Sequence, residues 1–354
     1  MAFGSIRSID QIRPEWLTAL LTETFPGTAV ESVHIGTVIN GTATKARLLL
    51  TYNRAGHAHR LPPTLWLKAG FEPHSGAEHL QAIYIGETLF YRDIAKRLDL
   101  GPPRCFAARF DAATGQNYLL LEDLLALHAE FGHAARPLTP TQAANVLEVQ
   151  AKLHARFWRS HELDDVTWLH GGGALGKSGV HEMTFTPPIW DRCAALPRGR
   201  FLQGPLADRE RMAEMMRSVL RHEAEHSMCL VHGDAQLMNL YFVADGMPGY
   251  LDWQTAMWSY WAHDVADFVV TCMTVDDRRR SERDLIDHYV RALHRHGITE
   301  LTSAAAWHAY TRHTAYTIHW AVCLPEWQPE AVCAINTERA CAAILDHRSD
   351  AEWC

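Results

Sequence analysis

Residues 231–252, Val-His-Gly-Asp-Ala-Gln-Leu-Met-Asn-Leu-Tyr-Phe-Val-Ala-Asp-Gly-Met-Pro-Gly-Tyr-Leu-Asp, decide how the chain is read. They set His232, Gly233, Asp234 and Asn239 in an HGDxxxxN pattern and end the next apolar run on a further carboxylate, Asp252. The apolar run Cys229 to Val231 predicts a strand leading into a loop that carries both Asp234 and Asn239. Leu240 to Val243 and Tyr250 to Leu251 read as two short strands about a turn at residues 244–249. Such a hairpin returns Asp252 to the side of Asn239. One carboxylate able to accept a hydroxyl proton, with an amide oxygen and a second carboxylate for Mg²⁺, are the parts phosphoryl transfer asks of a protein. The remainder of that chemistry is positioning and charge neutralisation. Each residue by itself has a structural explanation, as a turn cap, a loop residue or a strand end. The set at this spacing favours the chemical one.

Outward from this stretch the chain divides near residue 125. After a short helix at about Asp10 to Thr24, strand-like runs dominate the first part: Val30 to Val38, Ala46 to Tyr52, Thr64 to Phe71, Arg104 to Phe110 and Asn117 to Glu122. Helical patterns dominate the second, beginning at Thr139-Pro140, an N-cap followed by Pro at the first helical position. Further helices are expected at about 208–226, 262–274, 280–296, 302–322 and 329–346, with Gly297 as a C-cap after Arg295-His296. Strands first and helices later define an α+β protein with a small antiparallel sheet lobe, residues 1–124, and a larger, mainly helical lobe, residues 125–354.

If the hairpin holds a nucleotide and metal, the sheet lobe supplies the other contacts. Residues 38–45 join two expected strands through Asn40, Gly41 and other small or polar residues, whose backbone N–H groups could approach phosphates closely, although an ordinary hairpin reads the same way. Lys68 is a lone cation in the apolar run Leu65-Trp66-Leu67-Lys68-Ala69-Gly70. Glu87 falls on the stripe Leu80, Ile83, Phe90, Tyr91, Ile94 and Leu98, which has helical spacing. A carboxylate on a buried face is costly unless paired, so Lys68 and Glu87 are natural partners, the lysine donating to nucleotide phosphates. Leu119 to Leu124 end the last strand of this lobe. Glu122 and Leu124 are expected at a hinge where backbone groups would bind adenine.

With these segments in view, the chain resembles the aminoglycoside-phosphotransferase and choline-kinase superfamily, which has the two-lobed protein-kinase-like fold, and within it the ecdysteroid-kinase-like branch. The resemblance is carried by Leu67-Lys68, Glu87-Thr88-Leu89-Phe90-Tyr91, Leu121-Glu122-Asp123-Leu124, Ala151 to Trp158, Val231 to Asn239 and Leu251-Asp252-Trp253-Gln254. It implies an ATP-dependent kinase of a small molecule, with Asp234 as catalytic base, His232 supporting its loop, Asn239 and Asp252 as Mg²⁺ ligands, and Lys68 with Glu87 positioning phosphate. Asp264 matches an aspartate that buttresses the catalytic loop in such proteins, or else caps a helix. Trp253-Gln254 after Asp252, where protein kinases have Phe-Gly, argues against a protein substrate. The loop at residues 38–45 lacks GxGxxG.

A second nucleotide motif competes. Gly171-Gly172-Gly173-Ala174-Leu175-Gly176-Lys177-Ser178 satisfies GxxxxGK[ST], but the motif works only between a buried strand and a helix. Neither flank reads so, and a flexible loop is expected.

The acceptor is less legible. Tryptophans at 158, 168, 190, 253, 258, 261, 307, 320 and 327 could line a pocket for an apolar alcohol or cage a quaternary amine, or simply pack the core. The leading expectation is transfer to a hydroxyl of a small, partly apolar metabolite. A choline-like or aminoglycoside acceptor is the alternative, and a catalytically silent nucleotide-binding module the reading from another class. A net charge of −8 argues against a nucleic-acid partner. Eight cysteines without a CxxC pair and the absence of an 18-residue apolar run point to a soluble, cytoplasmic protein with reduced thiols and no membrane contact. Its 22 histidines form no recognisable metal motif.

Overall fold

A computed structural model describes residues 4–98, 100, 102–243 and 248–353. The chain forms two compact units, residues 1–129 and 130–354. It is mixed α and β, with an antiparallel sheet in the N-terminal part and a helical C-terminal part.

In the first unit, α1 (Pro14–Thr22) precedes β1 (Val30–Ile39) and β2 (Thr44–Tyr52). There follow α2 (Arg54–Ala58), β3 (Thr64–Ala69), α3 (Glu78–Asp93), β4 (Cys105–Asp111) and β5 (Gln116–Glu122). The five strands pair antiparallel in the order β1-β2-β3-β5-β4. Alternate residues of β2 (Ala46, Leu48, Leu50) and of β3 (Leu65, Leu67, Ala69) are buried in one apolar cluster with Trp16, Leu17 and Leu20 of α1. The period of two places Lys68 on the face away from that cluster, where α3 supplies Glu87. The β1–β2 connection spans four residues, and neither Asn40 nor Gly41 is left-handed, so the Asn-Gly pair does not form a two-residue turn.

The second unit opens with β6 (Glu130–Phe131) and α4 (Pro140–Arg156). Thr139 and Gln142 close a reciprocal capping box with Pro140 at the first position, as the sequence predicts. Short helices α5 (Gly173–Ser178), α6 (Val180–Thr184) and α7 (Pro187–Ala194) lead to α8 (Arg209–Glu225). Then come β7 (Cys229–Val231), β8 (Leu240–Phe242), β9 (Pro248–Tyr250) and β10 (Met257–Ser259). Helices α9 (Ala262–Cys272), α10 (Val275–Arg295), α11 (Ser303–His313), α12 (Glu330–His347) and α13 (Ser349–Trp353) complete it, a 3₁₀ segment at Thr314–Val322 joining α11 towards α12. Gly297, at φ +90°, ends α10, with Ile298 N–H bonded to Leu293 O. Every residue of α9 is buried. A helix apolar on all sides belongs inside a domain, and its polar members His263, Asp264 and Asp267 need internal partners. Among the described residues no helix is long and apolar enough to cross a membrane.

Of the expected loop at 171–178, residues 173–178 are instead helical. Gly171, Gly172 and Gly173 all have positive φ, and a Cβ on Gly173 would lie 2.8 Å from Ala256 O. Gly173 therefore serves close packing against Ala256 and Met257. A 3₁₀ turn at Thr167–Leu169 stands where a phosphate-binding loop needs a strand, and Lys177 Nζ reaches Trp168 O at 3.4 Å. Lys177→Ala should leave ATP affinity unchanged within about twofold, whereas Lys68→Met should weaken it at least about tenfold by titration calorimetry. Loss confined to the Lys177 variant would reverse the assignment.

Burial also sets the acid behaviour. Burial pushes His181 and His313 down to about 3. The unfolded chain takes up protons near pH 6.5 that these native rings refuse, so their contribution is present above that pH and lost as pH falls towards 3. Asp234, raised to about 7 chiefly by burial and then by Asp267, acts in the opposite sense, binding a proton in the native state first. The histidines outnumber it. Unfolding free energy should fall by on the order of 1 kcal/mol per pH unit between pH 6 and 4, measurable by urea titration. A flat profile would contradict the neutral buried rings.

Candidate active site

The expected hairpin is present. β8 and β9 pair with Leu240 opposite Tyr250, and Leu251 N–H donates to Asn239 O at 2.8 Å. Asp252 is thus returned beside Asn239. Residues 244–247 of the expected turn lie outside the described residues. Asp252 occupies the left-handed region at φ +60°, rare for a residue other than glycine and a kind of strain that clusters at functional sites.

The loop between β7 and β8 is fixed through its main chain. Asp264 accepts from His232 N–H at 2.6 Å and Gly233 N–H at 2.9 Å, and lies 3.3 Å from His154 Nε2. Burial would raise the Asp264 carboxyl, yet these bonds and the neighbouring histidines hold it below its ordinary value. Asp264 therefore buttresses the loop rather than capping α9.

His263 works from the other side. Its Nδ1 lies 3.0 Å from Glu223 Oε1 and its Nε2 3.1 Å from Gly233 O. Burial opposes its charge, but Glu223 overcomes it and lifts the ring to about 9, so both nitrogens donate at neutral pH. His232 is the reverse: burial keeps it neutral, with Nε2–H donating to Leu251 O at 2.7 Å and Nδ1 accepting from Asp234 N–H at 3.3 Å. Its ring packs 4.6 Å from that of Trp253. Gly233 has φ +82°, and a Cβ there would stand 2.2 Å from Thr255 O, so both backbone angle and space require glycine.

Asn239 Nδ2 donates to Asp234 O and Asp234 Oδ2, each at 2.8 Å. Its nitrogen is spent on Asp234, so Oδ1 is the end a cation would meet. Among the described residues no three His, Cys, Asp or Glu side chains gather as a metal site. An amide oxygen with one carboxylate nevertheless fits Mg²⁺, which is ordinarily held by one or two protein oxygens together with substrate phosphates.

In the first unit Lys68 Nζ stands 2.5 Å from Glu87 Oε2, both side chains buried. The stripe argument is met. Asn40 is exposed and Gly41 half-buried; His74 Nε2 lies 3.1 Å from Gly41 O, and the Tyr84 hydroxyl donates to Thr42 O. These contacts anchor the loop by its carbonyls. Glu122 N–H donates to Arg104 O, and Leu124 O accepts from Ala129 N–H, so two main-chain groups of the expected adenine contact are already engaged. Asp123 between them takes Arg47 and the Trp66 indole, fixing the strand end.

The sequence reading missed His154, Glu223 and His263. His154 lies in a segment that carries the resemblance, and His263 adjoins Asp264. Their roles depend on contacts 30 to 110 residues apart, which spacing does not reveal.

Across nearly its whole length the chain has the fold of small-molecule kinases with a protein-kinase-like architecture. It is similar to the choline kinase of Streptococcus pneumoniae, at a TM-score of 0.52 and 12% identity over 94% of this chain and 98% of that one. It is also similar to an ethanolamine kinase of Plasmodium vivax, at a TM-score of 0.52 and 12% identity over 93% and 86%. The profile of the Ecdysteroid kinase-like family matches residues 207–300, the segment holding Asp234, Asn239, Asp252, His263 and Asp264. The resemblance read from the sequence is thereby borne out. No curated protein sequence matches the chain.

Proposed function

We propose that the protein is an ATP-dependent phosphotransferase that moves the γ-phosphoryl group to a hydroxyl of a small, partly apolar metabolite. The observation that carries this reading is the second unit's loop, where Asp234, Asn239 and Asp252 are brought together by one hairpin and held by Asp264, His263 and His232. Matching kinases share the fold, which supports the class of reaction.

Asp234 takes the proton of the acceptor hydroxyl as the hydroxyl oxygen attacks the γ-phosphorus and the bond from that phosphorus to the β–γ bridging oxygen breaks, releasing ADP. Asn239 fixes the orientation of the Asp234 carboxylate. Asn239 Oδ1 and Asp252 would hold Mg²⁺, whose chemistry there is to neutralise charge on the transferring phosphoryl group. In the first unit Lys68, braced by Glu87, donates to phosphate, and the backbone near Glu122 and Leu124 meets adenine. Residues 1–124 are accordingly assigned to the nucleotide and 125–354 to catalysis and the acceptor. Asp264 and His263 touch no reactant and position the loop.

Calorimetric titration of ATP with and without Mg²⁺ tests the metal assignment independently of turnover. Mg²⁺ should tighten ATP binding to the native protein, and Asp252→Asn should lose most of that gain. Equal affinity in the native protein with and without Mg²⁺ would overturn it.

A further inference from the structure

Two thiols of the second unit take no part in the roles above. Cys323 follows the 3₁₀ segment Thr314–Val322, and Cys333 stands in the first turn of α12. The turn between them closes on itself, with Gln328 N–H donating to Leu324 O at 3.2 Å. Cys323 Sγ lies 3.9 Å from Leu324 O and Cys333 Sγ 3.8 Å from Gln328 O, so the sulfurs sit at the two ends of one closed turn, within hydrogen-bonding reach of each other. Cys333 is wholly buried and Cys323 half-buried, so solvent reaches the pair through Cys323. The buried Arg198 lies against them: its Nη1 donates to Cys323 O at 2.6 Å while Nε and Nη2 pair with Glu330. The bond from Cys323, and then this cation, hold the Cys333 thiol below its ordinary value. Cys333 forms one apolar cluster with Ala134, Trp320 and Val332, against which both Cys323 and Met238 pack. Met238 belongs to the turn Leu237–Asn239 and immediately precedes Asn239.

We propose that Cys323 and Cys333 are a modification site: a peroxide closes them reversibly into a disulfide, and the loop that carries Asn239 feels the closure through Met238. Two thiols in contact share the proton that remains when one is lost, so the charge is available at the accessible sulfur. The Cys323 thiolate attacks a peroxide oxygen; an S–O bond forms, the O–O bond breaks, and the departing hydroxide becomes water with a solvent proton. The Cys333 sulfur then attacks the sulfenyl sulfur of Cys323; the S–S bond forms, the S–O bond breaks, and the second hydroxide leaves as water with the Cys333 proton. The dithiol gives up two electrons and one hydrogen peroxide becomes two waters. A disulfide holds its sulfurs at about 2.05 Å, closer than any contact between separate thiols, so the cluster around Cys333 must tighten. The link to the loop rests on the metal role read for Asn239; the disulfide itself does not.

The full chain is reduced, freed of reductant and treated with hydrogen peroxide. Trypsin then releases residues 313–339 as one peptide, which contains Cys323 and Cys333 and no other cysteine. After peroxide this peptide should be lighter by two hydrogens and refuse iodoacetamide at both positions, and dithiothreitol should restore it. Calorimetric titration of Mg²⁺-ATP into the same preparations should show affinity lowered at least about fivefold by oxidation, the lower end of coupling between distinct sites, and recovered with dithiothreitol. Cys333→Ser should abolish both responses. Cys323→Ser, at the half-buried position, gives the same test if the first variant melts, while Cys193→Ser should keep both responses. A peptide still alkylated at either cysteine after peroxide would overturn the proposal. A disulfide that left Mg²⁺-ATP affinity unchanged would overturn its link to the loop. If Mg²⁺ failed to tighten ATP binding even in the reduced protein, the metal reading would fall and the disulfide alone would stand.

Discussion

Asp234→Asn should lower kcat for phosphoryl transfer by roughly a thousandfold, the usual contribution of a positioned general base, while ATP binding and folding persist. Asparagine keeps an oxygen for the bond from Asn239 Nδ2 but has no basicity with which to take the acceptor proton. The substitution also removes a carboxylate that burial and Asp267 push up to about 7, so thermal stability at neutral pH should be equal or higher. Stopped assays at saturating ATP and acceptor, with a melting curve on the same preparation, check both statements. A variant retaining a tenth of native kcat would show that Asp234 is not the base.

The largest effect on stability is expected at Asp264. Replacing it by Ala strips the acceptor from two buried N–H groups, those of His232 and Gly233, and leaves His154 without its carboxylate. Each orphaned buried donor costs about 1–3 kcal/mol, and breaking a buried charged network by removing one partner costs about 3–5 kcal/mol. The melting temperature should fall by several degrees, and residual activity should fall with it because the main chain carrying Asp234 loses its support. Asp264→Asn, which can accept only one of the two backbone bonds well, should lie between Ala and the native protein. If Asp264→Ala melted as the native protein does, the buttress reading would be wrong.

What could be read from the sequence follows from how local each interaction is. Thr139, Pro140 and Gln142 cap α4 within four residues, and the hairpin that returns Asp252 to Asn239 closes over a short span, so both were visible as spacing. Lys68 and Glu87 are 19 positions apart, yet each was marked by being charged inside an apolar pattern, and burial left pairing as the economical outcome. The supports of the loop that carries Asp234 have no such mark. His154, Glu223 and His263 belong to three helices that meet only in the folded unit, and a histidine in a helix is ordinarily unremarkable. The segment at 171–178 misled in a different way. Its glycines read as a loop or a phosphate cradle, whereas residues 173–178 are helical and the closeness of Ala256 O shows Gly173 serving backbone approach. Of the tryptophans, Trp253, Trp261 and Trp320 are alike buried supports, Trp320 in a cluster with Ala134, Val332 and Cys333.

The most direct test is to incubate the purified protein with Mg²⁺-ATP and a broad panel of alcohols, sterols, amino alcohols and antibiotics, and to look by mass spectrometry for products heavier by one phosphoryl group. The account predicts at least one such product with the native protein and none with Asp234→Asn. ATP binding without phosphorylation of any member of the panel would contradict it.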